Sequence, residues 1–240
     1  LIIATLGYSG LFWVDGLTCI AAGILLLLLL NPKKIKTPES PQNEIPQSAY
    51  NDVPYWIFIV SMVLFGFVFV QYFSTIPIYY NDARALSETQ IGLLLGMNGF
   101  LIVVFEMPLI KFLETRPLSK IAHVMIGLML VTLSLLILNF STWMGIVVIG
   151  MLLMTLGEMI AFPFSYAFAM DRARRGRPGQ YMALYSISFS IAHIFAHNSG
   201  MISIARLGYE TTWYLAAFIG LLGILLLLWL KKVLLKSTRN

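Results

Sequence analysis

The stretch MGIVVIGMLLMTLGEMIAFPFSYAFAM, residues 144–170, decides the fold class. The hydrocarbon core of a bilayer is about 30 Å thick and takes about 20 helical residues at 1.5 Å each. The stretch is long enough to cross it, and near its middle it carries one carboxylate, Glu158, and one proline, Pro163. An ionised side chain at the bilayer centre costs about 2.5–3.5 kcal/mol on insertion scales. Glu158 therefore needs a partner or water, which makes it the first candidate functional residue.

The rest of the chain has the same character. It is 59% hydrophobic and 11% charged, with a mean hydropathy of +0.83. A single soluble core of 240 residues cannot hide so much apolar surface. An all-α integral membrane bundle is expected. The net charge of +5 does not point to nucleic acid, because the basic residues sit in short clusters between apolar spans and form no face interleaved with stacking aromatics. Cys19 is the lone cysteine, so no internal disulfide can form. The chain begins Leu-Ile-Ile with no basic segment ahead of an apolar one, so no signal peptide is visible; it reads as entering a longer membrane protein partway.

About seven transmembrane helices are expected. Residues 1–6 read as the tail of an earlier helix, Gly7-Tyr8-Ser9-Gly10 as a turn, and 11–30 as the first full span, with Asp15 near its solvated start. Residues 31–53 are polar, with repeated prolines and no apolar periodicity, and read as a linker and domain boundary. Further spans are expected at 55–80, 89–113, 119–140, 143–170, 180–205 and 212–230, followed by a basic tail over 231–240. Tyr55, Trp56, Tyr79, Tyr80, Trp143, Trp213, Tyr214 and Trp229 stand at span borders, as headgroup-level anchors do.

Charge sets the expected orientation. Fourteen of the sixteen Lys and Arg residues fall on one side of these spans, and only Arg84 and Arg206 fall on the other. The positive-inside rule makes the first side cytoplasmic: loops 31–53, 111–120 and 171–179 and the C-terminus.

Within the spans, Gly92, Gly96 and Gly99 form a small-residue stripe, and Ser186, Ser190 and Ala192 a second one. Both suit close helix packing. The polar groups at depth are Gln71, Asn98, Glu106, Glu158, His193 and His197. Glu158 and His193 lie near the midplane, and a buried acid near a buried imidazole is suited to proton handling. Glu106 could instead reach the cytoplasmic interface or pair with Lys111 or Arg116. Gln71 and Asn98 either line a cavity or bond neighbouring helices. His123 is placed at the interface. His193 and His197 share a helix face, but His-Ile-Phe-Ala-His lacks the glutamate of hydrolytic zinc helices and no further ligands accompany it, so no metal site is expected. Pro108 and Pro163 would bend their helices.

Four stretches resemble the major facilitator superfamily. They are Leu11-Phe12-Trp13-Val14-Asp15-Gly16; Gln71 followed by Ile76-Pro77-Ile78-Tyr79-Tyr80; Gln90-Ile91-Gly92 through Asn98-Gly99 and Glu106-Met107-Pro108-Leu109; and Gly157-Glu158 with Pro163, then Arg175-Gly176-Arg177 and Tyr181-Met182. The resemblance implies a twelve-helix carrier, of which residues 1–30 would be the end of helix 5 and helix 6, 31–53 the central cytoplasmic loop, and 54–230 helices 7–12. The most similar subgroup is the bacterial proton-coupled exporters of drugs and other solutes. The family's signature loop belongs mainly to the other half of the carrier, and its counterpart here would fall at residues 108–120, where Glu114 and Arg116 are present and the glycines are not. Gly157-Glu158 with Pro163 also resembles proton-coupled peptide carriers, in which the acid would meet the peptide's amino end.

These readings converge on a multi-pass transporter of the inner (plasma) membrane, working by alternating access. Glu158, His193 and Glu106 would serve proton coupling or substrate, and Gln71, Asn98 and His197 would line the cavity. Drug-like efflux by proton antiport is the leading expectation, with peptide or nutrient symport as the alternative. The expected partners are a small-molecule substrate, protons, the bilayer and the N-terminal helices of the same carrier. A membrane scaffold is the alternative outside transport, and acid and imidazole at depth speak against it. No nucleophile–base pair or metal constellation stands in the spans, so neither enzymatic activity nor a cofactor is expected.

Overall fold

The computed structural model describes residues 2–29, 48–174 and 176–237. Residues 31–47 of the linker expected over 31–53, Arg175 of the Arg175-Gly176-Arg177 run and the last three residues of the basic tail lie outside the described residues. The described residues contain no strand. Among the described residues six helices are long and apolar enough to cross a membrane, which makes the chain a multi-pass membrane protein. The chain divides into two units, Leu1–Glu44 and Ile45–Asn240.

The described residues of the first unit form one helix, α1 (Ile2–Leu29). The turn expected at Gly7-Tyr8-Ser9-Gly10 is not there, because the helix runs through both glycines. Glycine in a helix interior costs only about 1 kcal/mol relative to alanine, and the ladder of backbone hydrogen bonds that a membrane requires outweighs that.

The second unit is a bundle of α2 (Val53–Ser74), α3 (Ile76–Asp82), α4 (Glu88–Glu114), α5 (Lys120–Leu136), α6 (Gly145–Ala173) and α7 (Pro178–Ser237). The span expected at 55–80 is divided at Thr75. Pro77 has no N–H to give to the preceding turn, and the Thr75 hydroxyl turns back to the Gln71 carbonyl (2.8 Å). Pro108 and Pro163 interrupt neither α4 nor α6. The basic residues expected as a tail from 231 continue the last helix as far as Ser237.

Helix α7 comprises two arms, 178–207 and 209–237, because Gly208 is non-helical with φ +81°. That conformation is open to glycine and strained for other residues. The hydroxyls of Ser203 and Thr212 lie 2.8 Å apart. A straight helix would separate them by about 13 Å at 1.5 Å per residue, so the chain folds back here.

Ser87 and Gln90 close a capping box at the start of α4. Asp52 caps α2 through the Tyr55 N–H (3.1 Å). It also takes a two-pronged ion pair from Arg172 at the end of α6 and the Tyr181 hydroxyl (3.0 Å) at the start of α7. This clasp and the Lys120–Asp171 ion pair mark one end of the bundle. At the other end Arg84 ties α3 to the carbonyls of Leu138 (3.0 Å) and Ser141 (2.8 Å), and Tyr209 donates to Asp82. Of the expected border anchors, Trp56, Trp143, Tyr214 and Trp229 are exposed, whereas Tyr55, Tyr79, Tyr80 and Trp213 are packed inside.

Helices α5 and α6 cross at two glycines. A Cβ on Gly127 would come within 2.7 Å of the Gly157 carbonyl, and one on Gly157 within 2.7 Å of the Gly127 carbonyl. The stripe of Gly92, Gly96 and Gly99, expected to pack tightly, meets nothing within 4 Å in this chain. The second stripe is split, with Ala192 packed on Gly66 and both Ser186 and Ser190 exposed.

Candidate functional site: a carboxylate between α4 and α6

Glu158 is the fourteenth of the 29 residues of α6, and so lies close to the middle of the crossing. It follows Gly157, which is pressed onto α5, so the carboxylate leaves α6 on a different side. It is partly buried. Its hydrogen-bond partner is Asn98 of α4, whose Nδ2 donates to Glu158 Oε2 (3.2 Å) and also to Thr155 Oγ1 (2.9 Å). Thr155 in turn donates to the Met151 carbonyl (2.8 Å). Both hydrogens of the Asn98 amide are therefore used. Among the described residues no cation pairs with Glu158 or with Glu106. Arg116, considered as a partner for Glu106, lies over the Phe112 ring at 4.6 Å.

Glu106 is partly buried and near enough to Glu158 to act on it electrostatically, and the buried Tyr72 of α2 is near enough to feel the Glu158 charge. One turn beyond Glu158 on α6 stands Phe162, packed with Phe69 of α2 (4.9 Å between ring centres) and Phe189 of α7 (5.3 Å). These three rings are partly exposed and form an aromatic wall beside the acid.

The other expected residues are placed differently. Gln71, expected to line a cavity, is closed in at 1% exposure. Its Nε2 donates to the Ala196 carbonyl (2.8 Å), its Oε1 accepts from Thr75 (3.0 Å), and a side chain on Gly200 would collide with its amide. It is a tie between α2 and α7. His193 and His197 lie on an exposed face of the first arm of α7, and no hydrogen bond or ion pair joins either to Glu158 among the described residues. The acid and imidazole expected to share the midplane are thus not bonded directly to each other in this chain. His123, expected at the interface, is 1% exposed, with Nδ1 on the Ser119 carbonyl and its ring stacked 4.1 Å over Phe164.

Two participants were not singled out from the sequence. Thr155 sits one turn before Glu158 on the same helix face, and that i, i+3 polar pair was a usable signal. The Asp52–Arg172–Tyr181 clasp joins residues more than a hundred positions apart and left no local pattern.

The sequence profile described as the Major Facilitator Superfamily matches residues 1–197. The uncharacterised MFS-type transporter YqjV of Bacillus subtilis (strain 168) is 25% identical over 173 residues, covering 70% of this chain and 41% of that protein. A Na(+), Li(+), K(+)/H(+) antiporter of Planococcus maritimus is 21% identical over 193 residues, covering 75% of this chain and 45% of that protein. The chain thus spans less than half the length of these curated relatives. With a helical membrane bundle of the expected kind and the profile matched over most of its length, the chain belongs to the major facilitator superfamily.

Proposed function

We propose that the chain is part of a proton-coupled secondary transporter of a small solute, with Glu158 as the group that takes up and releases the proton. The observation that carries this is a carboxylate at the middle of a membrane crossing, partly open and without a cationic partner among the described residues. A structural acid at that depth would be expected to be paired. The family supports transport, and the similarity to a cation/proton antiporter supports proton exchange. Binding near the midplane and rocking of two bundles about it is the mechanism this reading uses. The open glycine stripe of α4 and the exposed Ser186, Ser190, His193 and His197 suit contact with a second bundle, supplied by N-terminal helices of the same carrier.

Drug-like efflux by antiport is the finer reading. It is supported by the wall of Phe69, Phe162 and Phe189, which suits an apolar, ring-bearing solute better than a sugar. The end carrying Arg172 and Lys120 would be cytoplasmic and the end carrying Arg84 external, in the plasma membrane. Gln71 would hold α2 and α7 together.

The test uses the full-length protein in vesicles with an imposed pH gradient. Solute-dependent proton movement is expected for the native protein, and at least about a tenfold loss for Glu158→Gln with folding preserved. Unchanged proton-coupled flux in that variant would refute the role of Glu158. Proton flow parallel to the solute would replace antiport with symport.

A further inference from the structure

Helix α4 is held to the bundle differently from its neighbours. Of its 27 residues only Ile91 and Asn98 are buried, and its packing partner is chiefly α6. Two clefts run between these helices. One, of about 320 Å³, is lined by Gln90, Leu93, Leu94 and Met97 of α4 with Met144, Val147 and Val148 at the start of α6. The other, of about 410 Å³, is lined by Leu101, Phe105, Pro108 and Leu109 of α4 with Leu152, Leu156 and Met159 of α6. Between them along α4 stands one polar bridge, Asn98 donating to Thr155 and Glu158. The apolar clefts add little attraction, because lipid tails are as apolar as the side chains that line them. Much of the hold on α4 is therefore in the bridge.

One arm of that bridge is sensitive to charge. An amide N–H gives a hydrogen bond roughly twice as strong to an ionised carboxylate as to a neutral acceptor. A protonated Glu158 can also turn its own O–H to another acceptor, leaving Asn98 with Thr155 alone. We propose that Asn98 is a positioning residue through which the ionised Glu158 holds α4 against α6, so that proton uptake at Glu158 loosens α4. The inference rests on the reading of Glu158 as a proton site. Of the other titratable groups, Glu106 from α4 itself acts on Glu158, and Tyr72 from α2 feels the Glu158 charge. From α7, Tyr185 is bonded to Ser165 (2.8 Å), and from α5, His123 is stacked on Phe164 nearly two turns further along α6.

The experiment measures the α4–α6 distance in the full-length protein in nanodiscs, between spin labels on Leu93→Cys and Ile149→Cys with other cysteines removed, from alkaline to acidic pH. Both positions are exposed. The native sequence is expected to give a narrow distribution at alkaline pH and one about 5 Å longer and broader at acidic pH, half of an interhelical spacing. Glu158→Gln should give the long distribution at every pH. Asn98→Leu should give it too, and Asn98→Gln, which keeps the donor, should recover part of the pH response. A native distribution that ignores pH overturns the proposal. So does an Asn98→Leu protein that keeps the native response, since Asn98 would then be merely structural. Proton flux in vesicles is measured in parallel. A pH-dependent distance without flux sinks the transport reading and keeps this one, and flux with a fixed distance does the reverse.

Discussion

Helix α6 has two working faces, and they are built in opposite ways. Towards α5 it presents Gly157, and the backbones approach until a single Cβ would collide. Towards α4 it presents Thr155 and Glu158, with clefts to either side and one asparagine reaching across. In lipid there is no hydrophobic drive to close such gaps, so contact area and polar ties decide which interface is firm. The close crossing fixes α6 as a post. The polar one leaves α4 attached by interactions within reach of thermal energy and of a proton. Interhelical hydrogen bonds in membrane proteins are worth about 0.6 kcal/mol on average, whereas overpacking a filled interface costs about 1–3 kcal/mol.

The contrast can be broken most forcefully at Gly157. Gly157→Leu should lower stability by about 3 kcal/mol, read as a reduced unfolding midpoint in detergent, because backbone rather than flexible side chain blocks the added atoms. A neutral result would mean that the α5–α6 crossing is not tight. Asn98→Leu should cost about 1 kcal/mol by the same measurement, since it removes both arms of the bridge and leaves a carboxylate short of a partner. A loss as large as that at Gly157 would erase the distinction between the two faces. Thr155→Val keeps the volume and the Asn98–Glu158 arm, so about 0.5 kcal/mol is expected. The smallest effect belongs to Gly96→Leu, which faces open space in this chain and should fall within about 0.5 kcal/mol for residues 1–240 alone. The same change in the full-length protein should cost more if a second bundle covers the stripe.

The sequence made this architecture legible where the bilayer itself imposes the rule. Span length follows from hydrocarbon thickness, and it can be read along the chain one residue at a time. The break at Gly208 fell inside the gap left between the last two expected spans. The turn expected at Gly7–Gly10 does not form, because glycine's weak helix propensity counts for less in a membrane than in water. Within the site, the depth of Glu158 was legible from its position in an apolar run, and Asn98 stood among the candidates. What could not be read was which helices approach. Gln71 and Asn98 look alike in sequence, each an amide in an apolar span, yet one ties α2 to α7 and the other holds the acid. Only pair geometry separates them. His193 could not be placed either, since its helix face is open in this chain and its neighbours are set by packing rather than by spacing.

The reversal at Gly208 also bears on how the chain is made. Two crossings joined through a single non-helical residue, with Ser203 hydrogen-bonded to Thr212 across the bend, have no slack between them. They can enter the bilayer only as a hairpin, the second arm committed to the direction opposite the first. Basic residues at the far end of the second arm, Lys231, Lys232 and Lys236, then vote on the sidedness of both arms at once. The biosynthetic unit of this region is therefore a pair of helices, and the glycine is what couples their insertion.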